Sequence, residues 1–137
     1  MIRVVFDTNV MISGLLWQGI PQRLLRLAIQ EYFVLLASEP LIAELDTVLQ
    51  RPKFAKQLIQ TNRSRERTLI GLRQFVEMVS PVSLPYSSVR DAKDVMILEC
   101  AVGGRANYIV SGDKDLLVLI QFDGIPIVTP QQFLEQL

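Results

Sequence analysis

Short, uninterrupted runs of apolar residues alternate with longer segments of helical periodicity, and this alternation constrains the fold more than any other feature of the chain. Four runs predict strands: IRVVF at 2–6, FVLLA at 33–37, NYIVS at 107–111 and IPIV at 125–128. A run without polar alternation is typical of a strand buried on both faces. Strands separated by helices favour a parallel sheet, because parallel neighbours need crossover connections. The pattern predicts an α/β fold.

The segments between these runs carry helix signals. Pro21 opens a helical stretch over 22–31, and Ser38 is a candidate N-cap for a helix that ends near Arg51-Pro52. Further helices are expected at 53–60, from Ser64 to about Val79, from Val95 to about Val102, at 115–121 and from Pro130 to Leu137. The stretch from Pro81 to Arg90 is expected to be a loop with a brief strand at its start. Half of the 137 residues are apolar, enough to bury the core of one domain spanning 1–137.

The chain contains no histidine, which narrows the chemistry it can perform. Serine–histidine triads, histidine acid–base ribonucleases and His/Cys zinc sites are excluded. Carboxylates without histidine or thiolate partners suit hard cations that prefer oxygen, such as Mg²⁺ and Mn²⁺. The single cysteine, Cys100, is expected to be a buried small hydrophobe in a reducing cytoplasm. No signal-peptide design or membrane-length run is present, so we expect no membrane partner.

Four acidic residues follow strands or lie in helices that begin beside strand ends. Asp7 ends the first predicted strand and Asp113 follows the NYIVS strand, whereas Glu44 and Asp94 belong to helices that start at the same edge. Ligands bind at the carboxyl edge of parallel sheets, so these acids are expected to converge there. Carboxylates about 4 Å apart repel by roughly 4 kcal/mol at an effective dielectric of 20. A cluster therefore needs a cation, which can activate water and neutralise a scissile phosphate.

Two acids compete with members of this quartet. Asp91 precedes the same helix as Asp94, and Glu39 precedes Glu44 on its helix. Five residues on a helix rotate by about 140°, so Glu39 and Glu44 cannot both face one site. We favour Glu44 and Asp94.

Five segments then resemble the successive signatures of PIN-domain proteins: MIRVVFDTNVMISGLL, SEPLIAELDTVLQRPKF, RDAKDVMILECA, YIVSGDKDLL and IPIVTPQQFL. The match runs from residue 1 to the C-terminus and is closest to bacterial and archaeal members described as toxin components of toxin–antitoxin pairs. The resemblance implies a three-layer α/β/α sandwich with a central parallel sheet of four to five strands. It also implies an endonuclease that cuts single-stranded RNA with one or two Mg²⁺ or Mn²⁺ ions, an antitoxin partner and a homodimer.

The resemblance assigns the four metal-binding acids by position. Asp7 in the DTN segment matches the first, Glu44 the second, Asp94 the third and Asp113 the fourth. Val95 stands where a further acid is common in the family, which lowers the negative charge at this site. Asp115 is either an auxiliary acid or a helix N-terminal residue favoured by the dipole.

Polar and basic residues surround these acids. Thr8, Asn9 and Ser111 are expected to orient a carboxylate, a water or a phosphate, or else to cap turns. Lys93, Lys114 and Arg90 flank the acids and can contact RNA phosphates. Residues 51–73 hold seven basic residues against Glu66 alone, which indicates either an RNA-contacting arm or a solvated helix face. The candidates there are Arg51, Lys53, Arg63, Arg65 and Arg67. Trp17 is expected either to stack on a base or to pack internally.

Other functions are compatible with some of these features. A carboxylate phosphatase with Asp7 as nucleophile is one, although phosphatases of the haloacid dehalogenase type usually carry an acid at the position of Asn9. Dinucleotide and phosphate-loop motifs are absent. A catalytically silent module that binds RNA or an antitoxin is the third possibility, and the presence of all four acids favours catalysis over it.

Overall fold

The computed structural model describes residues 1–84 and 92–137. Arg90 and Asp91 lie outside the described residues. The elements in chain order are β1 (Arg3–Phe6), α1 (Thr8–Leu16), α2 (Ile20–Ile29), β2 (Val34–Ala37), α3 (Glu39–Leu49), a 3₁₀ turn (Pro52–Phe54), α4 (Ala55–Gln60), α5 (Arg65–Arg73), β3 (Glu77–Met78), α6 (Ala92–Gly103), β4 (Tyr108–Val110), α7 (Lys114–Leu117), β5 (Gln121–Phe122), β6 (Ile125–Val128) and α8 (Pro130–Gln136).

The strands form one sheet in the order β3-β2-β1-β4-β6-β5. The first five in this order pair in parallel, and β5 alone runs antiparallel, against β6. The α/β class and the parallel centre of the sheet are confirmed. The parallel part of the sheet has five strands, which confirms the prediction of four to five, and β5 adds a sixth, antiparallel strand at one edge.

Two apolar layers cover the sheet, one on each face. Along β1, Val4 and Phe6 point into a core built with α1, α2, α3, α5 and α8, whereas Val5 points into a second core with α6 and α7. All three side chains are at most 2% exposed, which explains why the run lacks polar alternation. Burying each such side chain stabilises the fold by roughly 1.5–3 kcal/mol. The three-layer arrangement is confirmed.

Helix α1 was not predicted from the sequence. Its side chains are buried on several sides, so the segment TNVMISGLL shows no amphipathic period. Gly14 permits the close packing of α1 on α2, because a Cβ there would lie 2.6 Å from Leu25 Cδ1. Trp17 is the C-cap of α1.

Two predicted helix ends were wrong. Helix α5 ends at Arg73 instead of Val79, because the chain turns and Glu77 pairs with Leu36 as part of β3. The brief strand therefore precedes Pro81. Helix α7 ends at Leu117 instead of residue 121, since Ile120 takes a left-handed φ of 67° and Gln121 enters β5.

Cys100 is buried, as predicted, and burial raises the pKa of its thiol to about 11. A thiol with such a pKa stays protonated and unreactive at neutral pH. Among the described residues, no helix is both long and apolar enough to cross a membrane.

Candidate metal and nucleic-acid site

The two central strands deliver acidic and polar residues to one edge of the sheet. Asp7 directly follows β1, and its N–H donates to the carbonyl of Val110 in the neighbouring β4 at 3.0 Å. Ser111 directly follows β4, and Asp113 comes two residues later. Asp7 is the N-cap of α1 and Asp113 is the N-cap of α7. Aspartate suits both positions because its side-chain oxygen accepts an unpaired N–H of the first helical turn.

One hydroxyl joins the two aspartates. The Ser111 Oγ donates to Asp7 Oδ2 and accepts the backbone N–H of Asp113 at 2.9 Å. The other Asp7 oxygen, Oδ1, accepts the N–H of Val10 at 2.8 Å. Ser111 is fully buried and Asp7 is 4% exposed. We call these three residues the Asp7–Ser111–Asp113 unit.

The charge of Asp7 is poorly compensated. Burial raises the pKa of Asp7 above its ordinary value; hydrogen bonds from Ser111, Val10 and Gly112 oppose this rise, and the negative charge of Asp113 adds to it. Within the described residues Asp7 forms no ion pair with a basic side chain. A buried carboxylate beside a second carboxylate favours the approach of a cation.

Glu44 and Asp94 lie on two helices that pack together, α3 and α6. Glu44 is half-buried, and its Oε1 lies 3.6 Å from the Nζ of Lys93. Asp94 is 5% exposed and belongs to the first turn of α6, which begins three residues earlier than predicted. The structure thus brings Asp7 near Asp113, and Glu44 near the residue that precedes Asp94.

The structure of the described residues does not bring the four acids together in a single cluster. Across residues 1–84 and 92–137, no three Asp, Glu or Cys side chains are arranged to hold a metal ion together. The donor chemistry of the Asp7–Ser111–Asp113 unit nevertheless fits Mg²⁺ or Mn²⁺, because it consists of oxygen atoms and carries uncompensated negative charge. The four-ligand assignment stays a prediction.

Glu39 and Asp115 have other partners. Glu39 forms a two-pronged ion pair with Arg73 at 2.8 Å for each bond, which lowers the pKa of Glu39. This contact occupies Glu39 on an exposed surface and supports the choice of Glu44. Asp115 is exposed in the first turn of α7, and its N–H donates to Asp113 Oδ1 at 2.9 Å.

The basic segment is partly neutralised within the chain. Arg65 Nε lies 2.7 Å from Asp46 Oδ1, and Lys53 Nζ lies 5.0 Å from the centre of the Phe54 ring. The exposed members are Arg51, Lys53, Lys56, Arg63, Arg67 and Arg73, of which Arg73 is paired with Glu39. Trp17 packs edge-on against Phe54 with ring centres 5.9 Å apart, which favours the internal packing role.

An open cavity adjoins the Asp7–Ser111–Asp113 unit. It has a volume of about 610 Å³, and Asn9, Ser13 and Lys114 contribute its polar lining. Thr8 is half-buried at the start of α1, and Asn9 is exposed beside it. Sequence reasoning missed Ser13. Its only signal was the four-residue spacing from Asn9, which became meaningful once α1 was recognised as a helix.

Replacing Ser111 by alanine is expected to lower the free energy of unfolding by about 1–3 kcal/mol, because Asp7 Oδ2 and the Asp113 N–H lose their shared partner. Loss of the hydrogen bond from Ser111 also raises the pKa of Asp7 further. If the activity depends on a metal held by ionised Asp7, the activity is then expected to fall off at a higher pH on the acidic side of the pH–rate profile. Urea unfolding and a pH–rate profile measure the two effects. The exposed Ser83 provides a matched control, and equal behaviour of S111A and S83A would contradict this role.

Comparison with known proteins identifies related sequences and a related fold. Residues 3–115 match a family model described as the PIN domain. Uncharacterized protein MJ1680 of Methanocaldococcus jannaschii is 30% identical, over 98% of this chain and 91% of that protein. The crystal structure of VapBC2 from Rickettsia felis bound to a DNA fragment from their promoter is similar with a TM-score of 0.62. The match covers 92% of this chain and 97% of that one at 12% identity, and shows a likeness of fold.

Proposed function

Because this chain belongs to the PIN-domain family, we propose that it is a metal-dependent endoribonuclease that cuts single-stranded RNA. The observation that carries the proposal is Asp7: it is buried, it adjoins Asp113, and it has no basic partner among the described residues. A fold that needed only a helix cap at this position could use a neutral serine or asparagine. A buried carboxylate is expected where a cation is part of the working state.

The acidic residues and Ser111 have different roles in the proposed reaction. Asp7 and Asp113 would hold a Mg²⁺ or Mn²⁺ ion, with Glu44 and Asp94 as further ligands. When bound, the ion lowers the pKa of a water and neutralises charge on the scissile phosphate. Ser111 fixes the orientation of Asp7 through the Oγ–Oδ2 hydrogen bond.

The test is cleavage of a labelled single-stranded RNA by the purified chain with Mg²⁺ or Mn²⁺. We expect cleavage that EDTA stops and that added metal restores. Cleavage that survives EDTA would contradict the mechanism. Release of phosphate from small monoesters without RNA cleavage would instead identify a phosphatase. RNA binding without either reaction would identify a silent module.

We further propose that an antitoxin protein occupies a groove at the opposite edge of the sheet. This groove, of about 1050 Å³, lies between α2 and α5. Its floor is apolar, and Arg26 and Arg63 stand at its margin without a carboxylate partner among the described residues. Glu31 and Glu77 also line the groove, so an amphipathic segment whose apolar stripe is flanked by charges of both signs fits this surface.

Gly71 supplies a sharp test of the groove. It lies within α5, and a Cβ there would meet nothing within 4 Å. Neither packing nor backbone conformation in the folded chain requires glycine, which costs about 1 kcal/mol relative to alanine inside a helix. G71L is expected to weaken binding of a co-expressed antitoxin from the adjacent gene by at least about tenfold, because its side chain enters the groove. G71A, which adds only a methyl group, is the control, and equal binding by both variants would contradict the assignment.

A further inference from the structure

The cavity beside Asp113 is open to solvent and is lined by several separate parts of the fold. Its walls come from four separate elements: the first turns of α1, the start of α2, the Gly112–Lys114 turn and the start of α8. Its volume of about 610 Å³ falls within the range of roughly 300–1,000 Å³ that is typical of small-ligand sites. Because it shares Asp113 with the proposed metal site, an occupant would lie next to the reacting phosphate.

The lining of the cavity combines flat apolar surfaces with a few polar groups. Pro21 and Pro130 present two half-buried rings, and Val10 adds a buried side chain. Asn9 and Ser13 lie four residues apart on α1 and therefore share one face of that helix. Nucleic-acid bases combine apolar faces with polar edges, and this lining is complementary to both.

The polar groups of the cavity are available to a ligand. Within the described part of the chain, the side chains of Asn9 and Ser13 make no hydrogen bond, and Lys114 makes no ion pair. Gly112 contributes only backbone atoms to the lining, and a Cβ at this position would meet nothing within 4 Å. No contact among residues 1–84 and 92–137 explains these open groups.

We propose that this cavity is a nucleoside subsite. It holds one unpaired base of the RNA strand against Pro21 and Pro130, while Asn9 and Ser13 contact the polar edge of the base or its ribose. Lys114 contacts the adjoining phosphate. The inference rests on the proposed function and deepens it, because a base that is paired in a duplex already has its polar edge engaged by the other strand and is not free to contact Asn9 and Ser13. The subsite is thus a physical source of single-strand preference.

Binding of small probes tests the subsite without relying on cleavage. In the presence of Mg²⁺, nucleoside 5′-monophosphates and ribose 5-phosphate, which contain no phosphodiester bond to cleave, are titrated into the isotope-labelled chain and followed by NMR. We expect the nucleotides to bind about tenfold more tightly than the sugar phosphate, since only they bury a base. The largest shifts are expected at Asn9, Ser13 and Gly112.

Two variants locate the binding. S13L fills the cavity, and K114Q removes only an exposed charge; each is expected to weaken nucleotide binding about tenfold. G71L, which fills the groove on the other side, is the matched control and is expected to bind nucleotide as the unaltered chain does. Equal affinity for nucleotide and sugar phosphate, or nucleotide binding unchanged in both S13L and K114Q, would overturn the subsite. Base-dependent binding in a chain that cleaves no RNA would uphold the subsite and refute the proposed activity.

Discussion

Cleavage of single-stranded RNA is expected to fall by at least about a hundredfold when Asp7 is replaced by asparagine. The amide keeps the size of the carboxylate, and its oxygen can still accept the N–H of Val10, so the N-cap of α1 is retained. What is lost is the negative charge that would hold the cation and its activated water. Single-turnover cleavage with Mn²⁺ measures the loss, and near-normal cleavage by D7N would contradict the role of Asp7.

The same variant is expected to be more stable than the unaltered chain in metal-free buffer near neutral pH. Burial raises the pKa of Asp7 in the folded state above the ordinary value of 3.8. As pH rises from that value through the folded pKa, the unfolded chain loses its proton more readily, so ionisation destabilises the fold. D7N lacks this titration. The gain in unfolding free energy should therefore appear with rising pH and disappear in acid; a pH-independent difference would contradict the shift.

Replacing Phe133 by alanine is expected to lower the free energy of unfolding by about 3–5 kcal/mol. Phe133 is fully buried on α8, its ring meets Phe33 edge-on at 5.1 Å, and it lies 5.5 Å from the ring of Tyr108. Removing it leaves a cavity where α8 joins the sheet. Since the free energy of unfolding of a domain is only about 5–15 kcal/mol, this loss is a large part of the total, and F133A is expected to unfold at a lower temperature.

Chemical denaturation of F133A and Y32A compares a buried with an exposed aromatic residue. Tyr32 is 63% exposed, so its loss is expected to change the unfolding free energy by no more than about 0.5 kcal/mol. Similar effects of the two substitutions would show that α8 contributes little to the core.

The sequence predicted the centre of the sheet because strands buried on both faces must be apolar throughout. It failed where tertiary contacts decide the outcome. Helix α1 is surrounded by protein and has no polar stripe, and Phe75 and Val76 continue a helical spacing although they pack on the core from beyond the end of α5. Strands β3 and β5 have two residues each, too short to leave a periodic signal.

The candidate site, like the fold, could be predicted from the sequence only in part. Asp7 and Asp113 could be placed together because Asp7 directly follows one central strand, Asp113 lies three residues beyond the end of its neighbour, and strand ends share an edge. Ser111 was identified as a polar neighbour, but its place between the two aspartates depends on side-chain orientation. Glu44 and Asp94 lie within helices, where a rotation of 100° per residue decides the direction of a side chain, and the assignment of both as metal ligands came from the family resemblance.

The two hydrogen bonds that anchor Asp7 also bear on which cation the proposed site would prefer. With Oδ1 and Oδ2 each fixed by a donor from the protein, the carboxylate keeps one orientation before an ion arrives. A rigid ligand suits Mg²⁺, which demands near-ideal octahedral geometry at 2.0–2.1 Å, more than Ca²⁺, which accepts longer and more variable coordination. If the proposed metal site is correct, the residue that caps a helix would thereby also favour a small cation over a larger one.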